Sequence, residues 1–470
     1  MSFDPIPSCM PQSTSARRHF LAGALGVSAV VAIGWSLPGD AGTLYRCTGS
    51  DGVPAYVSQR IAGAECTTIE YADDSRKTAP ATAPEAGARI RPTRDEAAHG
   101  ESPDHAIVSN FGDPNAAPAL AGLRQSDIGF RYVQVGDSHT AADFMTGQLR
   151  ARLQARLGDG GAGWVTPVRV SGQRLARISF QQSGWGLSSS RTGQPADYPF
   201  GGLFASPVAP RAELTLSPSQ DPDPDHDSVL QNVSVIIRQD PGDAPLSLSD
   251  AAGQRFELRS EVQDGNWHTL EFSASLPLHV VAEGSPGTSL GGWWLSSPER
   301  GAVVSAVGIN GSQLAHWRRW RSDWMRDLGP ARPDVIALAY GTNEAFDDTL
   351  DVEATKNDLT LAVSQIRERF PTAAVLIVGA PESLAATAGT CGARAPSLDA
   401  VQRIQREVAV STRTLYWDAQ AATGGACSMK QWMREGLARK DGVHFSSQGY
   451  ARLGDALYAG LVDLAGGSRH

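Results

Sequence analysis

The spacing of hydrophobic positions changes twice along the chain. Residues 106–157 and 301–470 alternate between short apolar runs and stretches with helical spacing, whereas residues 158–300 hold short alternating runs separated by Gly, Ser and Pro. Apolar positions at every second residue indicate a half-buried strand, and a recurrence at three and four residues indicates a helix. The pattern therefore predicts one α/β domain that is interrupted by an inserted β-rich domain.

The two outer segments predict a parallel sheet with helices on both faces. A strand at Phe130–Val135 precedes a helix at Ala141–Leu157. The later segment alternates strands and helices, and its uniformly apolar strand runs are typical of strands buried on both faces. The later predicted strands are Val303–Ile309, Val335–Ala339, Ala374–Val378 and Thr414–Trp417, and the helices are Ser312–Leu328, Val352–Phe370, Leu398–Thr412 and Ser447–Leu464.

The inserted segment predicts an antiparallel β-sandwich. Its alternating runs are short and are separated by turn signals, which is the pattern expected of a sandwich rather than of βα units. The clearest runs are Glu213–Leu216, Val233–Ile237, Arg255–Leu258, Trp267–Phe272 and Leu278–Ala282.

Three further pieces precede the α/β domain. Residues 1–42 contain the apolar stretch Phe20–Leu37 behind two arginines and a histidine, which is the layout of an export signal. The stretch is also just long enough for a retained membrane anchor, so both interpretations stay open. Residues 43–72 predict a small β-hairpin module around the turn Asp51-Gly52. Residues 73–105 are rich in Ala, Pro, Glu and Arg and predict a flexible linker.

Composition narrows the class of partner. The chain has 470 residues, of which 41% are hydrophobic and 19% charged, as in ordinary globular proteins. Its formal net charge of -9 argues against nucleic acid as a partner, because phosphate binding needs a basic surface. Nothing in the sequence looks like a phosphate loop or a zinc cluster, so no cofactor or metal is expected.

The cysteines form two sequence-local pairs. Apart from Cys9, which precedes the apolar stretch, they are Cys47 with Cys66 and Cys391 with Cys427. Export makes a disulfide plausible for each pair, and the alternative is four buried free thiols. Neither their spacing nor neighbouring histidines indicate a metal site.

Three polar motifs follow predicted strands or precede the last helix. They are Gly136-Asp-Ser-His139, Gly341-Thr-Asn-Glu344 and Asp441-Gly-Val-His444. In an open parallel sheet, ligands bind beyond the carboxyl ends of the strands, where the first two motifs are expected.

The residue types in these motifs suit acyl transfer. A serine hydroxyl needs a neighbouring base, so we assign Ser138 as nucleophile and His444 as base, with Asp441 orienting the imidazole. The tetrahedral intermediate needs hydrogen-bond donors for its oxyanion, and the candidates are the Ser138 N–H, the Asn343 amide and the Gly311 N–H. Each motif alone could be a turn or a helix cap, and only their combination carries the assignment.

With these residues in place, the sequence resembles the SGNH (GDSL-type) hydrolase family. The family is named after the Ser, Gly, Asn and His of its four sequence blocks, which match Ser138, Gly311, Asn343 and His444. The resemblance implies a flavodoxin-like three-layer α/β/α fold with a five-stranded parallel sheet. For the glycine block, Gly308 competes with Gly311, and Gly291-Gly292 lies near the end of the insertion.

The details of the blocks narrow the resemblance to one branch. Gly-Asp-Ser-His, Gly308-Ile-Asn-Gly311 and Gly-Thr-Asn-Glu together resemble the peptidoglycan O-acetylesterases of Gram-negative bacteria. That branch carries a carbohydrate-binding-module-like β domain between its first two blocks. The resemblance implies an O-acetylated glycan partner, removal of acetyl from the C6 hydroxyl of N-acetylmuramic acid, and a periplasmic or secreted protein that an N-terminal segment could anchor to the inner membrane.

Four further residues are candidates for substrate contact. Trp293 and Trp294 could stack on sugar rings, although sandwich packing is the commoner use of such residues. His139 and Glu344 lie next to catalytic blocks, and that position is the only evidence for them.

Other functions remain compatible with the sequence. The acetyl-enzyme could pass its acyl group to a second sugar, which would make the protein an O-acetyltransferase. The ester could also belong to another polysaccharide or to a lipid. A non-enzymatic glycan-binding protein is a third alternative, against which the complete set of Ser138, Asp441, His444 and Asn343 argues.

Overall fold

The computed structural model describes three backbone strands within 43–70 and, with side chains, residues 108–125, 129–192, 197–219, 230–285 and 287–466. The predicted export segment and linker lie outside these residues. Within the described part of the chain, no helix is long and apolar enough to cross a membrane.

The N-terminal module is an antiparallel sheet. β1 (Thr43–Thr48) lies between β2 (Pro54–Val57) and β3 (Glu65–Glu70), so a third strand joins the predicted hairpin. The backbone register places Cys47 opposite Cys66. The predicted disulfide between them lies outside the described side chains.

The α/β domain is built on a mostly parallel sheet. Its parallel strands lie in the spatial order β17-β5-β18-β19-β22, and within the described residues an antiparallel strand, β4, closes the edge beside β22. Counted along the chain, the parallel strands have the flavodoxin-like order 2-1-3-4-5. The predicted fold class is therefore confirmed, with one strand added at the edge. The strands are β4 (Val108–Asn110), β5 (Phe130–Gly136), β17 (Ala302–Gly308), β18 (Val335–Ala339), β19 (Ala374–Val378) and β22 (Leu415–Trp417).

Helices cover both faces of this sheet, because alternate strand residues supply two separate cores. Tyr132 and Ala337 pack with the helices α3 and α9, whereas Val133 and Ile336 face α5 and α6. The helices are α1 (Ala116–Ala119), α2 (Ser138–Ala141), α3 (Met145–Leu157), α4 (Thr342–Ala345), α5 (Val352–Arg369), α6 (Leu398–Thr412), α7 (Ala419–Thr423), α8 (Ser428–Arg434) and α9 (Ser447–Gly466).

Two predicted helices differ in the structure. The helix expected over Ala141–Leu157 begins only at Met145, because Asp143 has a left-handed backbone with φ 43°. The helix expected over Ser312–Leu328 is wrong. Two 3₁₀ helices, Leu314–Arg319 and Trp324–Ala331, replace it. Between them Trp320 adopts an extended conformation and pairs with Tyr198 of the insertion, so tertiary pairing overrides the helical spacing.

The insertion is a two-sheet antiparallel sandwich. One sheet has the order β13-β12-β15-β10-β7, and the other has the order β14-β11-β16-β9-β8, with β6 also pairing β16. Their inward residues form one apolar core. The strands are β6 (Gly163–Val165), β7 (Ile178–Ser183), β8 (Trp185–Ser189), β9 (Leu203–Pro207), β10 (Arg211–Pro218), β11 (Leu230–Arg238), β12 (Leu246–Ser249), β13 (Arg255–Leu258), β14 (Trp267–Ser275), β15 (Leu278–Glu283) and β16 (Ser289–Ser296).

Both candidate sugar-stacking tryptophans are buried, which corrects their assignment to substrate contact. Trp293 is fully buried in the sandwich core, and its indole N–H donates to the Pro167 carbonyl at 3.2 Å. Trp294 packs against Trp164, and its N–H donates to the Asp327 carbonyl at 2.8 Å. Neither ring has a face left for a sugar, because Trp293 is fully buried and Trp294 is only 4% exposed.

A disulfide joins Cys391 to Cys427. Cys391 lies in the turn of a small hairpin, β20 (Leu384–Ala386) with β21 (Ala393–Arg394), and Cys427 directly precedes α8. The same hairpin contacts the loop of the third motif, because the Leu384 N–H donates to the Gly442 carbonyl at 2.9 Å. The disulfide therefore fixes a hairpin that supports the loop carrying Asp441 and His444.

We predict that replacing both Cys391 and Cys427 with Ala lowers the free energy of unfolding by about 2–4 kcal/mol, because an unfolded chain without the cross-link is less constrained. Urea unfolding followed by tryptophan fluorescence measures this change. The Cys47→Ala, Cys66→Ala double variant is the matched control, since it alters only the N-terminal module. Equal midpoints for the Cys391, Cys427 variant and wild type would contradict the prediction.

Candidate active site

Ser138 lies at the turn between a strand and a short helix. β5 ends at Gly136, and Ser138 is the first residue of α2. The Asp137 side chain caps this helix by accepting a hydrogen bond from the His139 N–H at 3.0 Å. The first N–H groups of a helix have no acceptor within the helix. The Ser138 N–H therefore suits a developing negative charge.

Ser138, His444 and Asp441 form a continuous chain of hydrogen bonds. The Nε2 atom of His444 lies 2.9 Å from Ser138 Oγ, and its Nδ1 atom lies 2.8 Å from Asp441 Oδ2. Ser138 and His444 are both buried. When Nδ1 carries the proton and donates to the carboxylate, Nε2 is free to accept the serine proton.

The Asp441 carboxylate is held in its ionised form. Its second oxygen, Oδ1, accepts the backbone N–H groups of Val443 and His444, each at 2.9 Å. Burial alone would raise the pKa of Asp441, but the charge of His444 and the hydrogen bonds from its ring and from the two N–H groups lower that pKa to about 2. The four-residue loop thus holds an anion beside the imidazole at neutral pH.

Asn343 ties the loop after β18 to the loop after β17. It lies in the first turn of α4, and its Nδ2 donates to the Ser312 carbonyl at 2.9 Å. An amide nitrogen carries two hydrogens, so this bond fixes the side chain and leaves one hydrogen for another acceptor. Gly311 directly precedes Ser312 and has a left-handed backbone with φ +75°. The structure therefore brings the Asn343 and Gly311 segments together.

The competing glycines have packing reasons of their own. Gly308 ends β17, and a Cβ added there would lie 2.2 Å from the Ala141 nitrogen, so the glycine lets α2 approach the strand. Gly291 and Gly292 lie in β16 of the sandwich, and a Cβ at Gly292 would overlap the Trp164 ring. Gly311 is the candidate that sits beside the Asn343 contact, which favours it over the others.

His139 is a packing residue, which corrects its assignment to substrate contact. Its Nδ1 lies 2.9 Å from Tyr450 Oη, and its ring packs against Phe445. Burial, together with the charge of His444, lowers the pKa of His139 to about 3. The His139 ring lies 5.3 Å from the His444 ring, so this buried imidazole packs against His444 inside the protein.

Glu344 is also buried, and its assignment to substrate contact is corrected for the same reason. Both of its carboxylate oxygens accept backbone N–H groups, one from Leu314 and one from Gly341. With both oxygens engaged inside the protein, the side chain is not part of a substrate surface.

The insertion contacts the loop after β17, although no pattern in the sequence predicts this contact. The Gln173 side chain donates to the Gly308 carbonyl at 3.0 Å, and the Asn310 side chain donates to the Gly172 carbonyl at 3.0 Å. On the other side of this loop, Arg191 Nε donates to the Gly311 carbonyl at 3.2 Å. Residues of the sandwich thus hold the glycine block at both ends.

The insertion also holds the segment that follows α2. The Arg174 N–H donates to the Ala141 carbonyl at 3.2 Å, and the Ala176 N–H donates to Asp143 Oδ2 at 2.7 Å. Asp143 is buried and forms an ion pair with Arg150 at 3.0 Å. In the sequence, these contacts of Asp143 are indicated only by the spacing of Asp143 and Arg150 on one side of a predicted helix.

Comparisons with known proteins place the chain in a family. Residues 281–452 match the model of the GDSL-like lipase/acylhydrolase family, and residues 160–279 match the model described as the N-terminal part of peptidoglycan O-acetylesterase. A solved structure described as a peptidoglycan O-acetylesterase is 39% identical, with a TM-score of 0.68, over 77% of this chain and 99% of that chain. The chain therefore belongs to the GDSL-like acylhydrolase family, and it is an ester hydrolase of the SGNH type.

Within that family, the chain is similar to the peptidoglycan O-acetylesterase along nearly the whole length of that protein. The resemblance inferred from the catalytic blocks is thereby confirmed. Other solved structures are less similar. An acetyl xylan esterase is 15% identical over 34% of this chain and 79% of its own, with a TM-score of 0.27. A family two carbohydrate esterase from Cellvibrio japonicus is 12% identical over 62% of this chain and 99% of its own, with a TM-score of 0.26. No curated protein sequence matches the chain.

Among the described residues, no group of His, Cys, Asp and Glu side chains is arranged to hold a metal ion. The described groups that can do chemistry here are a serine hydroxyl, an imidazole, a carboxylate and a set of hydrogen-bond donors. Such a set is able to transfer an acyl group through the serine.

We predict that Asp441→Asn lowers kcat about 1,000- to 10,000-fold, because an amide no longer holds the imidazole in the tautomer that accepts the serine proton. Hydrolysis of p-nitrophenyl acetate measures kcat. Asp418→Asn is the matched control, because Asp418 caps α7 with an N–H contact of the same kind outside the triad. Equal activity of Asp441→Asn and wild type would refute the assignment.

The same variant has a predictable effect on stability. The folded-state pKa of Asp441 lies below its ordinary value. The ionised carboxylate therefore contributes fully to the free energy of unfolding above pH 4, and this contribution is lost as the pH falls through 2. Wild type should exceed Asp441→Asn in free energy of unfolding by about 2 kcal/mol at pH 6. The difference should shrink in urea titrations at pH 3 and below, and a constant difference would contradict the prediction.

Proposed function

We propose that this protein is a serine esterase that removes acetyl groups from the C6 hydroxyl of N-acetylmuramic acid in peptidoglycan. The observation that carries the proposal is the 39% identity to a peptidoglycan O-acetylesterase over 77% of the chain. The hydrogen-bonded chain Ser138–His444–Asp441 supplies the chemistry. The substrate requires action outside the cytoplasm, and the apolar N-terminal stretch supports export to the periplasm, with or without a retained anchor.

The first half of the reaction forms an acetyl-enzyme. Ser138 Oγ attacks the acetyl carbonyl carbon while its proton passes to His444 Nε2, and the Asp441 carboxylate stabilises the imidazolium that results. The tetrahedral intermediate collapses when the bond to the sugar oxygen breaks. The His444 imidazolium gives its proton to the departing sugar oxygen, which leaves as a hydroxyl, so charge and protons balance.

The second half returns the free enzyme. A water molecule gives a proton to His444 Nε2 and attacks the acetyl carbonyl. The second tetrahedral intermediate collapses as His444 returns this proton to Ser138, and it releases acetic acid, which ionises to acetate and a proton in water. In both halves the oxyanion accepts hydrogen bonds from the Ser138 N–H, the Gly311 N–H and Asn343 Nδ2. A single donor of this kind typically contributes about 100- to 1,000-fold in kcat.

We predict that Ser138→Ala lowers acetate release from an activated acetyl ester by at least about 1,000-fold, since the nucleophile is gone while the donors remain. Ser411→Ala is the matched control, because Ser411 is an exposed residue of α6. Unchanged activity of Ser138→Ala would overturn the catalytic role of Ser138. A wild-type protein that binds glycan but releases no acetate would be a binding protein and not an esterase.

A comparison of ester substrates tests which ester the enzyme prefers. We expect acetate release from O-acetylated peptidoglycan to be at least about tenfold faster than from acetylated xylan or from a long-chain ester, a difference of about 1.4 kcal/mol in transition-state binding. Preference for xylan or for the long-chain ester would contradict the peptidoglycan assignment. Acetyl transfer to an added glycan, in place of release to water, would identify a transferase.

A further inference from the structure

A buried carboxylate links the two loops that carry the oxyanion donors. Glu344 Oε1 accepts the Leu314 N–H at 2.8 Å, and Oε2 accepts the Gly341 N–H at 3.0 Å. The side chain is 7% exposed. Leu314 follows Gly311 by three residues, and Gly341 precedes Asn343 by two, so each oxygen holds one donor-bearing loop.

The bond to Gly341 alone has an ordinary explanation. A Glu in the first turn of a helix often reaches back to the N–H that precedes the helix, and Glu344 does this for α4. The bond to Leu314 has no such local explanation, because it crosses to a loop thirty residues earlier in the chain. Glu344 therefore makes a second contact in addition to its helix-capping bond, and this contact is with the segment that carries Gly311.

This contact runs parallel to a second link between the same loops. The Asn343 side chain donates to the Ser312 carbonyl at 2.9 Å, and the Gln313 side chain donates to the Asn343 carbonyl at 3.5 Å, so the glycine and asparagine blocks are joined by hydrogen bonds in both directions. From this arrangement we propose that Glu344 is a positioning residue, which fixes the distance between the Gly311 N–H and the Asn343 amide and so keeps the oxyanion hole formed before substrate arrives. The inference rests on the acyl-transfer chemistry of the proposed function and is independent of which ester is the natural substrate.

A carboxylate is needed at this position for a geometric reason. A glutamine retains one acceptor oxygen, but its Nε2 would present hydrogens to an N–H group, so one of the two loops would lose its partner. An aspartate keeps both oxygens but is one methylene shorter, so it cannot span the same two donors. Burial, with a smaller contribution from Asp137, raises the pKa of Glu344 to about 7, although the N–H contacts oppose that rise. A buried acid beside a site where negative charge develops is unfavourable electrostatically, so its presence calls for a compensating role.

The test uses Glu344→Gln and Glu344→Asp with p-nitrophenyl acetate as the substrate. We expect both variants to lose about 10- to 100-fold in kcat, because misplaced donors affect the transition state, while KM changes less than about twofold. A trifluoromethyl ketone, which forms a tetrahedral oxyanion adduct with the serine, should bind more weakly by the same factor as kcat falls. A purely structural role would lower the melting temperature without this parallel loss.

The matched control is the variant Asp327→Asn. Asp327 is also a buried carboxylate, and it accepts the Phe200 N–H at 3.1 Å and pairs with Arg321. It joins the sandwich to the second 3₁₀ helix and lies outside the catalytic blocks. We expect it to lower the melting temperature with kcat unchanged. If Glu344→Gln does not fold, Glu344→Asp carries the test.

Three results would overturn the positioning role: wild-type kcat in a folded Glu344 variant, unchanged ketone affinity in a variant of low kcat, or an equal kcat loss in Asp327→Asn. If wild type itself does not hydrolyse the small ester, the proposed function fails and not this inference alone.

Discussion

The carboxyl ends of parallel strands meet at one edge of a sheet, and the proposed catalytic site depends on this constraint. Ser138 follows β5, Gly311 follows β17 and Asn343 follows β18, and these three strands are neighbours in the sheet. Segments more than two hundred residues apart in sequence therefore end side by side. The histidine loop arrives from before α9, which packs against α3. The hydrogen bonding between neighbouring strands fixes the positions of the loops that follow them.

The insertion joins the α/β domain at the edge of the sheet opposite the loops that carry Ser138 and Gly311. It leaves after α3 and returns at β17, whose first residue, Ala302, pairs with Phe130 at the start of β5, so the sandwich reaches those loops through residues within it. The sandwich shares an aromatic core with the α/β domain, in which Trp164, Phe200 and Trp294 pack near Trp320 and Trp324. A shared core of this kind prevents the sandwich from behaving as a tethered module. Gln173 and Arg191 can therefore act on the glycine block as fixed parts of the catalytic domain.

The elements that the sequence predicts best are those whose bounds depend on the local spacing of apolar residues. The strands Val335–Ala339 and Ala374–Val378 coincide with their predicted bounds, as does the helix Leu398–Thr412, because uniform apolar runs and helical spacing have few alternative uses. The proximity of Ser138, His444 and Asp441 was predictable because acyl transfer requires particular residue types in complementary roles. What could not be predicted depends on packing between distant segments: the 3₁₀ helices form around tryptophans that meet the insertion, and Gln173 reaches Gly308 across 135 residues. Glu344 belongs to this second class, since nothing near it in sequence indicates the N–H of Leu314.

Three carboxyl groups beside the proposed active site have different pKa values because their surroundings differ. Contact with His444 and two N–H groups outweighs burial and lowers the pKa of Asp441 to about 2, whereas burial raises that of Asp137 to about 6 and that of Glu344 to about 7. Of these three groups, only Asp441 is hydrogen-bonded to the His444 imidazole, so its full negative charge lies where positive charge develops in the proposed reaction. Asp137 and Glu344 accept backbone N–H groups, and Glu344 engages both of its oxygens in this way. Neutral donors stabilise a buried carboxylate less than a charged imidazole does, so burial outweighs them and the pKa values of both groups stay raised.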